Sequence, residues 1–216
     1  MNNSVPLIKI CGITERSSVD LCIESRVEML GFVFYKPSPR SLTIKKASAL
    51  MTDIPSETRK VALIVDASDN LIEQIMTNLP IDILQLHGSE SPSRIDQIKN
   101  RFKVPIIKCI PISCMEDFTA SKSYEHNTDY LMFDSKPSKD ASRPGGNAKS
   151  FDWSLLSKFK TKLPCILAGG LNVSNVKKAI KTSRVSAVDV SSGVESNLGK
   201  KDHNKIINFI NAVRCC

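Results

Sequence analysis

Short apolar runs recur along the chain and alternate with segments of helical spacing. The runs are rich in β-branched residues and begin about 22 to 34 residues apart, near Leu7, Met29, Lys60, Ile83, Pro105, Tyr130, Pro164 and Ala187. Between them, apolar residues recur three or four positions apart, as in 71–79 and 206–213. Strands that alternate with helices predict a parallel sheet.

The apolar runs are continuous rather than alternating, as in 61–65, which reads Val-Ala-Leu-Ile-Val. This pattern is typical of strands that are covered on both faces. No linker or composition break divides the 216 residues. Eight strand–helix units therefore predict an α/β fold, a single-domain (β/α)8 TIM barrel over residues 1–216, with a doubly wound open sheet as the alternative.

Composition adds limits on location and on metal chemistry. No apolar run approaches the ~20 residues that span a bilayer, and the polar start of the chain lacks the pattern of a signal peptide. We therefore expect a cytoplasmic protein with no membrane partner. The seven cysteines are scattered without ligand-like spacing, which predicts neither a disulfide framework nor a metal site.

The formal charge of +8 favours acidic partners. However, the lysine pairs at 45–46, 177–178 and 200–201 fall in different predicted segments, which indicates solvated faces rather than the basic stripe of a nucleic-acid protein. We expect no nucleic-acid partner. A basic field is also compatible with a small anionic substrate.

Two reactive side chains stand where apolar strands end. Cys11 follows the first strand, and Asp134 follows the apolar part of the sixth. A thiolate can act as a general base, and a carboxylic acid in apolar surroundings can act as a general acid. Such a pair at one barrel mouth would suit an isomerase. The alternatives are a buried structural cysteine and a carboxylate that caps the following loop.

Two loops after strands are longer than a barrel needs, which is typical of functional lids. Residues 36–43 follow the second strand and hold Arg40 between Pro39 and Ser41. A guanidinium there can bind a carboxylate in bidentate fashion, or it can simply be solvated. Residues 136–150 follow the sixth strand, and we expect this loop to order over a bound phosphate.

Glycine-bearing segments follow the last three strands of the predicted barrel. Backbone N–H groups in such loops bind phosphate, and barrel phosphate sites often use the loops after strands seven and eight. The predicted contacts are Gly146 and Asn147 after strand six, Gly169 and Gly170 after strand seven, and Ser192 and Gly193 after strand eight.

Two further polar residues have open roles. Asp189 lies within the eighth strand. Facing inward it could touch substrate, and facing outward it could pair with a helix lysine. His87 ends the fourth strand, where a structural role is favoured over a catalytic one.

Seven segments, spread from the first strand to the last helix, carry a family resemblance. They are Lys9–Thr14 (KICGIT), Gly31–Leu42 (GFVFYKPSPRSL), Gln85–Gly88 (QLHG), Phe151–Leu156 (FDWSLL), Leu167–Asn172 (LAGGLN), Val188–Glu195 (VDVSSGVE) and Gly199–Asp202 (GKKD). Together they resemble the phosphoribosylanthranilate isomerases of tryptophan biosynthesis. The cysteine motif and the KPSPR loop are specific to that family, whereas other phosphosugar barrels share the glycine loops.

The resemblance implies a cofactor-free Amadori rearrangement on a phosphorylated small-molecule substrate, in a monomer or a homodimer. It implies that Asp134 protonates the ribose ring oxygen and that Cys11 removes the C2 proton of the resulting Schiff base. It also implies that Arg40 holds the anthranilate carboxylate and that the glycine loops hold the phosphate.

The sixth loop departs from the family pattern, and two alternative functions remain. The sixth loop reads Gly145-Gly146-Asn147-Ala148-Lys149 where the family usually has Gly-Gly-Thr-Gly-Lys, which puts its phosphate contact in question. The histidine-pathway aminoaldose isomerase shares the glycine loops, but it is expected to carry aspartate in place of Cys11. The alternative from a different functional class is a non-catalytic module that binds nucleic acid.

Overall fold

Eight parallel strands close into a barrel in chain order. The computed structural model describes residues 5–136 and 150–216. The strands are β1 (Leu7–Cys11), β2 (Met29–Val33), β3 (Arg59–Ile64), β4 (Ile83–Leu86), β5 (Ile106–Ile112), β6 (Tyr130–Ser135), β7 (Cys165–Leu167) and β8 (Ala187–Val190). Closure comes from β1, which pairs with β2 on one side and β8 on the other. This confirms the (β/α)8 barrel over the open sheet.

Helices follow the strands on the outside of the barrel. They are α1 (Arg16–Glu24), α2 (Ile44–Met51), α3 (Asp69–Asn78), α4 (Pro92–Phe102), α5 (Met115–Ser121), α6 (Ser154–Lys158), α7 (Val176–Ser183) and α8 (His203–Arg214). Side-chain oxygens of Thr43, Ser68, Ser91 and Asp202 accept backbone N–H groups at the starts of α2, α3, α4 and α8. These caps satisfy donors that a helix leaves free at its N-terminus.

Predicted and observed strands agree closely in position. Two of them begin one residue later than predicted, at Ile106 and Cys165 rather than at Pro105 and Pro164. At these two starts the proline, which has no backbone N–H to donate, precedes the strand, whereas Pro111 lies inside β5 near its carboxyl end. After β8 the chain adds a short antiparallel ribbon, β9 (Glu195–Asn197) and β10 (Lys200–Lys201).

Alternate strand residues face opposite sides of the barrel wall. An apolar layer fills the interior and consists of Met29, Val61, Ile83, Ile107, Cys109, Met132, Ile166, Ala168 and Ala187. The intervening residues, such as Ile8, Ile10, Leu30 and Phe32, belong to the larger core beneath the helices. Among the described residues, no helix is both long and apolar enough to cross a membrane.

Candidate active site

The thiol of Cys11 lies at the carboxyl end of β1, at the mouth of the barrel, and is 4% exposed. It packs with Val33 and Leu63 of the two following strands. Two ammonium groups, those of Lys9 and Lys201, interact with it electrostatically. The thiol therefore lies in an electropositive part of the mouth.

Lys9 is itself fixed inside the barrel by Asp189. Its Nζ lies 2.8 Å from Asp189 Oδ1, and both side chains are buried. Burial works against the charged ammonium, but Asp189 and Cys11 more than compensate and raise the pKa of Lys9 above its ordinary value. Asp189 thus faces inward, and the expectation of a helix lysine as its partner is wrong, since the partner is a strand lysine.

Arg40 forms a buried bidentate ion pair with Glu195. The guanidinium Nε and Nη2 donate to Glu195 Oε1 and Oε2 at 2.6 and 2.8 Å. Lys201 Nζ lies 2.9 Å from the same Oε1. The alternative of a solvated Arg40 is wrong, because this residue is only 4% exposed. The two cations and one carboxylate leave a net positive charge beside Cys11.

Glu195 remains ionised through these contacts. Burial alone would raise its pKa, but the Arg40 and Lys201 cations lower the pKa of Glu195 to about 2. Burial has the opposite effect on Lys201, whose pKa is lowered although Glu195 favours its charged form. The ribbon that carries Glu195 and Lys201 is therefore attached to the barrel mouth by charge.

Asp134 lies across the mouth from Cys11, on β6, with 7% of its surface exposed. Its Oδ1 accepts the backbone N–H of Ser135 at 2.7 Å. Its Oδ2 lies 3.4 Å from His87 Nε2, and the same nitrogen is 3.5 Å from Cys109 Sγ. A histidine after β4, a thiol in the middle of β5 and a carboxylate near the end of β6 therefore converge.

His87 is held on its other side by Gln85. The His87 Nδ1 and Gln85 Nε2 atoms are 2.9 Å apart, whereas Gln85 Oε1 has no hydrogen-bond partner in the described part of the chain. Burial lowers the pKa of His87, but Cys109 and Asp134 outweigh it and hold that pKa well above its ordinary value. Burial also raises the pKa of the Cys109 thiol.

The loops after β7 and β8 meet beside Asp134. A small pocket of about 30 Å³ is lined by Asp134, Gly169, Gly170, Asp189 and Ser192. Four adjacent residues complete its lining. The structure thus brings together five of the predicted site residues. Gly146 and Asn147, with the rest of 137–149, lie outside the described residues, and their predicted contacts stay predictions.

Close packing explains two glycines in these loops. Gly169 has φ +84°, and a Cβ there would lie 2.5 Å from the Ser135 backbone nitrogen and 2.8 Å from Asp134 Oδ1. A Cβ on Gly193 would lie 1.9 Å from the carbonyl oxygen of Leu171. Within 5–136 and 150–216, no hydrogen bond uses the backbone N–H groups of Gly169, Gly170, Ser192 or Gly193. These four donors are available to an anion.

A larger cavity of about 580 Å³ opens at the part of the mouth that holds Asp134. Its lining includes Tyr35, His87, Cys109, Asp134 and Lys136. Aromatic and thiol groups stand beside charged ones there, which suits a ligand with both an apolar ring and polar substituents.

Comparison with known proteins decides the family. A family model described as N-(5'-phosphoribosyl)anthranilate (PRA) isomerase matches residues 8–212. The chain belongs to this family. It is 44% identical over 215 residues to N-(5'-phosphoribosyl)anthranilate isomerase of Rhodospirillum rubrum, covering 98% of this chain and 99% of that one. Its identity to the same enzyme of Paramagnetospirillum magneticum is 45% over 207 residues, covering 96% of each.

Solved structures of PRA isomerases have the same fold. The Thermotoga maritima enzyme superposes with a TM-score of 0.88 at 32% identity, over 98% of this chain and 100% of that chain. A second PRA isomerase structure, solved with reduced 1-(o-carboxyphenylamino)-1-deoxyribulose 5-phosphate, gives a TM-score of 0.83 at 31% identity, with the same coverage.

Sequence reasoning missed several residues of this PRA isomerase site. Lys9, Glu195 and Lys201 lie in the segments that carry the family resemblance, yet nothing in the sequence indicated that they pair with Asp189 and Arg40. Gln85 and Cys109, which contact His87, were not singled out either. Gln85 had a positional signal, because it lies just before the predicted strand end at His87, whereas Cys109 lies in the middle of β5 and had none.

Proposed function

We propose that this chain converts N-(5-phosphoribosyl)anthranilate into 1-(2-carboxyphenylamino)-1-deoxyribulose 5-phosphate, an Amadori rearrangement in tryptophan biosynthesis. The observation that carries the proposal is the placement of a thiol and a carboxyl group on β1 and β6 of one barrel mouth. The two strands between them, β7 and β8, are followed by the loops with free N–H donors. This arrangement fits a phosphorylated sugar that needs an acid at oxygen and a base at carbon.

Asp134 is proposed as the general acid. It donates its proton to the ribose ring oxygen as the C1–O bond breaks, and the anthranilate nitrogen supplies the electron pair that forms the Schiff base. The carboxyl group is buried and next to the phosphate loops, as this role requires. His87 lies 3.4 Å from Asp134 Oδ2 and could return a proton to the carboxylate after each turnover.

Cys11 is proposed as the general base. Its thiolate removes the C2 proton of the Schiff base, and the electrons of that C–H bond form the C1–C2 double bond of an enolamine. Tautomerisation of the enolamine gives the ketone product. The ammonium groups of Lys9 and Lys201 support this assignment, because reactive cysteines lie in electropositive surroundings.

Arg40 is proposed to bind the anthranilate carboxylate. Glu195 uses two of the five guanidinium N–H donors, so three donors are left for a substrate. The ion pair also fixes the guanidinium in place before substrate binds, which reduces the entropy that binding costs. The phosphate is proposed to lie on the N–H groups of Gly169, Gly170, Ser192 and Gly193.

The test is turnover of freshly made phosphoribosylanthranilate, followed by loss of its fluorescence. We expect the wild type to turn over and Cys11→Ala and Asp134→Asn to lose about 10² to 10⁴-fold in kcat, because each removes a proton-transfer group. Circular dichroism checks that both variants are folded. Full activity of folded Cys11→Ala would refute the proposed base and leave the fold untouched.

An inactive wild type would refute the proposed substrate, and the histidine-pathway aminoaldose would be assayed next. DNA and RNA binding measured across a salt series addresses the nucleic-acid rival, which requires a steep salt dependence. The cytoplasmic location and the choice between monomer and homodimer stay predictions.

A further inference from the structure

His87, Cys109 and Asp134 form a cluster that the proposed reaction uses only in part. The rearrangement needs the Asp134 carboxyl group, but it assigns nothing to the Cys109 thiol. The donor atoms of the three side chains all lie within 4.8 Å of one another. Imidazole, thiolate and carboxylate are the three ligand types that Zn²⁺ prefers.

Two of the three separations match the edges of a zinc tetrahedron. Zn–S bonds of about 2.3 Å, Zn–N of about 2.05 Å and Zn–O of about 2.1 Å place the sulfur and nitrogen about 3.6 Å apart and the nitrogen and oxygen about 3.4 Å apart. The observed separations are 3.5 Å for Cys109 Sγ to His87 Nε2 and 3.4 Å for His87 Nε2 to Asp134 Oδ2. His87 therefore stands at coordination distance from both other ligands, and Cys109 and Asp134, which lie within 4.8 Å of each other, close the third edge when an ion binds.

Gln85 supplies the support that a metal-bound histidine requires. A histidine that binds through Nε2 carries its proton on Nδ1 and donates it to a neighbouring acceptor. Gln85 lies 2.9 Å from Nδ1, is fully buried, and has an Oε1 atom with no partner in the described residues. A 180° rotation of this amide would place Oε1 against the Nδ1 proton and satisfy both groups.

The site is also open on one side. The 580 Å³ cavity is lined by all three candidate ligands, so an ion can enter and a water molecule can complete the coordination. Three protein ligands with one open position are typical of accessible zinc sites rather than closed structural ones.

We propose that His87, Cys109 and Asp134 bind Zn²⁺ at the barrel mouth and that the bound ion inhibits the enzyme. Binding displaces the thiol proton to solvent and leaves Cys109 as a thiolate and Asp134 as a carboxylate. Asp134 then has no proton to donate to the ribose oxygen. The inhibition rests on the proposed isomerase function, whereas the binding itself does not.

Binding is tested with Co²⁺ as a spectroscopic substitute for Zn²⁺. We expect one equivalent of Co²⁺ to give a thiolate-to-cobalt charge-transfer band and the visible bands of tetrahedral cobalt. Cys109→Ala should lose both, and Cys114→Ala should retain both, because Cys114 is an exposed thiol that is not a member of the cluster. Absence of the bands in the wild type, or their persistence in Cys109→Ala, would overturn the proposal.

Inhibition is tested by turnover in a Zn²⁺ series. Changes to residues that only orient a metal ligand weaken metal sites by about 10- to 100-fold. Loss of the thiolate itself should therefore raise the inhibitory Zn²⁺ concentration at least that much in Cys109→Ala, when the turnover of each protein is expressed relative to its own metal-free rate. Equal inhibition of both proteins would refute the site. An inactive wild type whose cobalt bands depend on Cys109 would support the site while refuting the proposed function.

Discussion

The two sides of the barrel mouth differ in how their polar groups are paired. On the β1–β8 side, Lys9 is paired with Asp189, and Glu195 joins Arg40 to Lys201. The β4–β6 side also holds a buried ion pair, Lys108 with Glu90 at 2.7 Å. Around His87, however, the contacts to Asp134 and Cys109 are long, at 3.4 and 3.5 Å, and a buried amide oxygen has no partner among the described residues.

The difference therefore concerns the groups around His87 rather than the whole β4–β6 side. Charges that are buried in closed pairs cost several kcal/mol when one partner is lost, so the pairs on the β1–β8 side, called the base side after the proposed role of Cys11, hold their side chains in place. On the β4–β6 side, called the acid side after the proposed role of Asp134, His87, Cys109 and Asp134 contact one another at longer distances and line the larger cavity. A group that must release and regain a proton in each cycle benefits from such surroundings.

The largest effect on stability is expected for Lys9→Met, which leaves Asp189 buried without its cation. We predict that it lowers the free energy of unfolding by about 3 to 5 kcal/mol, measured by urea denaturation. The double variant Lys9→Met/Asp189→Leu should recover most of that loss. A single variant as stable as the wild type would mean that the base side is not held by this pair.

An intermediate effect is expected for Glu195→Gln, which weakens a charge-assisted network by about 1 to 3 kcal/mol. The pKa of Glu195 is about 2 in the folded protein, below the value of about 4.3 in an unfolded chain. Glu195 therefore stabilises the fold above the unfolded pKa, and this contribution is lost as the pH falls toward 2.

The measurement for Glu195→Gln is the free energy of unfolding from pH 7 to pH 2. The variant should be less stable than the wild type at pH 7, and the difference between their free energies of unfolding should become smaller as the pH falls. A constant gap across this range would show that the carboxylate charge is not what holds the ribbon. Asp20→Asn, which breaks an exposed ion pair with Arg16, is the matched surface control.

The smallest effect is expected for Gln85→Met on the acid side. The change removes one hydrogen bond to His87, but it also removes the unpartnered oxygen, so the two contributions of about 1 kcal/mol nearly cancel. Unfolding monitored by denaturant should show a shift within about 1 kcal/mol. A loss as large as that of Lys9→Met would mean that the acid side is as tightly fixed as the base side.

The sequence accounts for the barrel and for the positions of the reacting groups. Continuous apolar runs fix where the strands lie, because a strand covered on both faces has no polar alternative. The residue after such a run then lies at the mouth, which is why Cys11 and Asp134 were found from the sequence. The loops after β7 and β8 were located in the same way, from glycines that follow the last strands, and their phosphate contact stays a prediction.

What the tertiary structure alone decided is which side chains meet. Asp189 pairs with a lysine 180 residues away, and Arg40 with a carboxylate 155 residues away. Residues so far apart in the sequence form no periodic pattern from which their pairing could be predicted. The partners follow from the closure of β1 on β8 and from the inward alternation of each strand. The same geometry joins His87, Cys109 and Asp134, whose spacing in the sequence predicted no metal site.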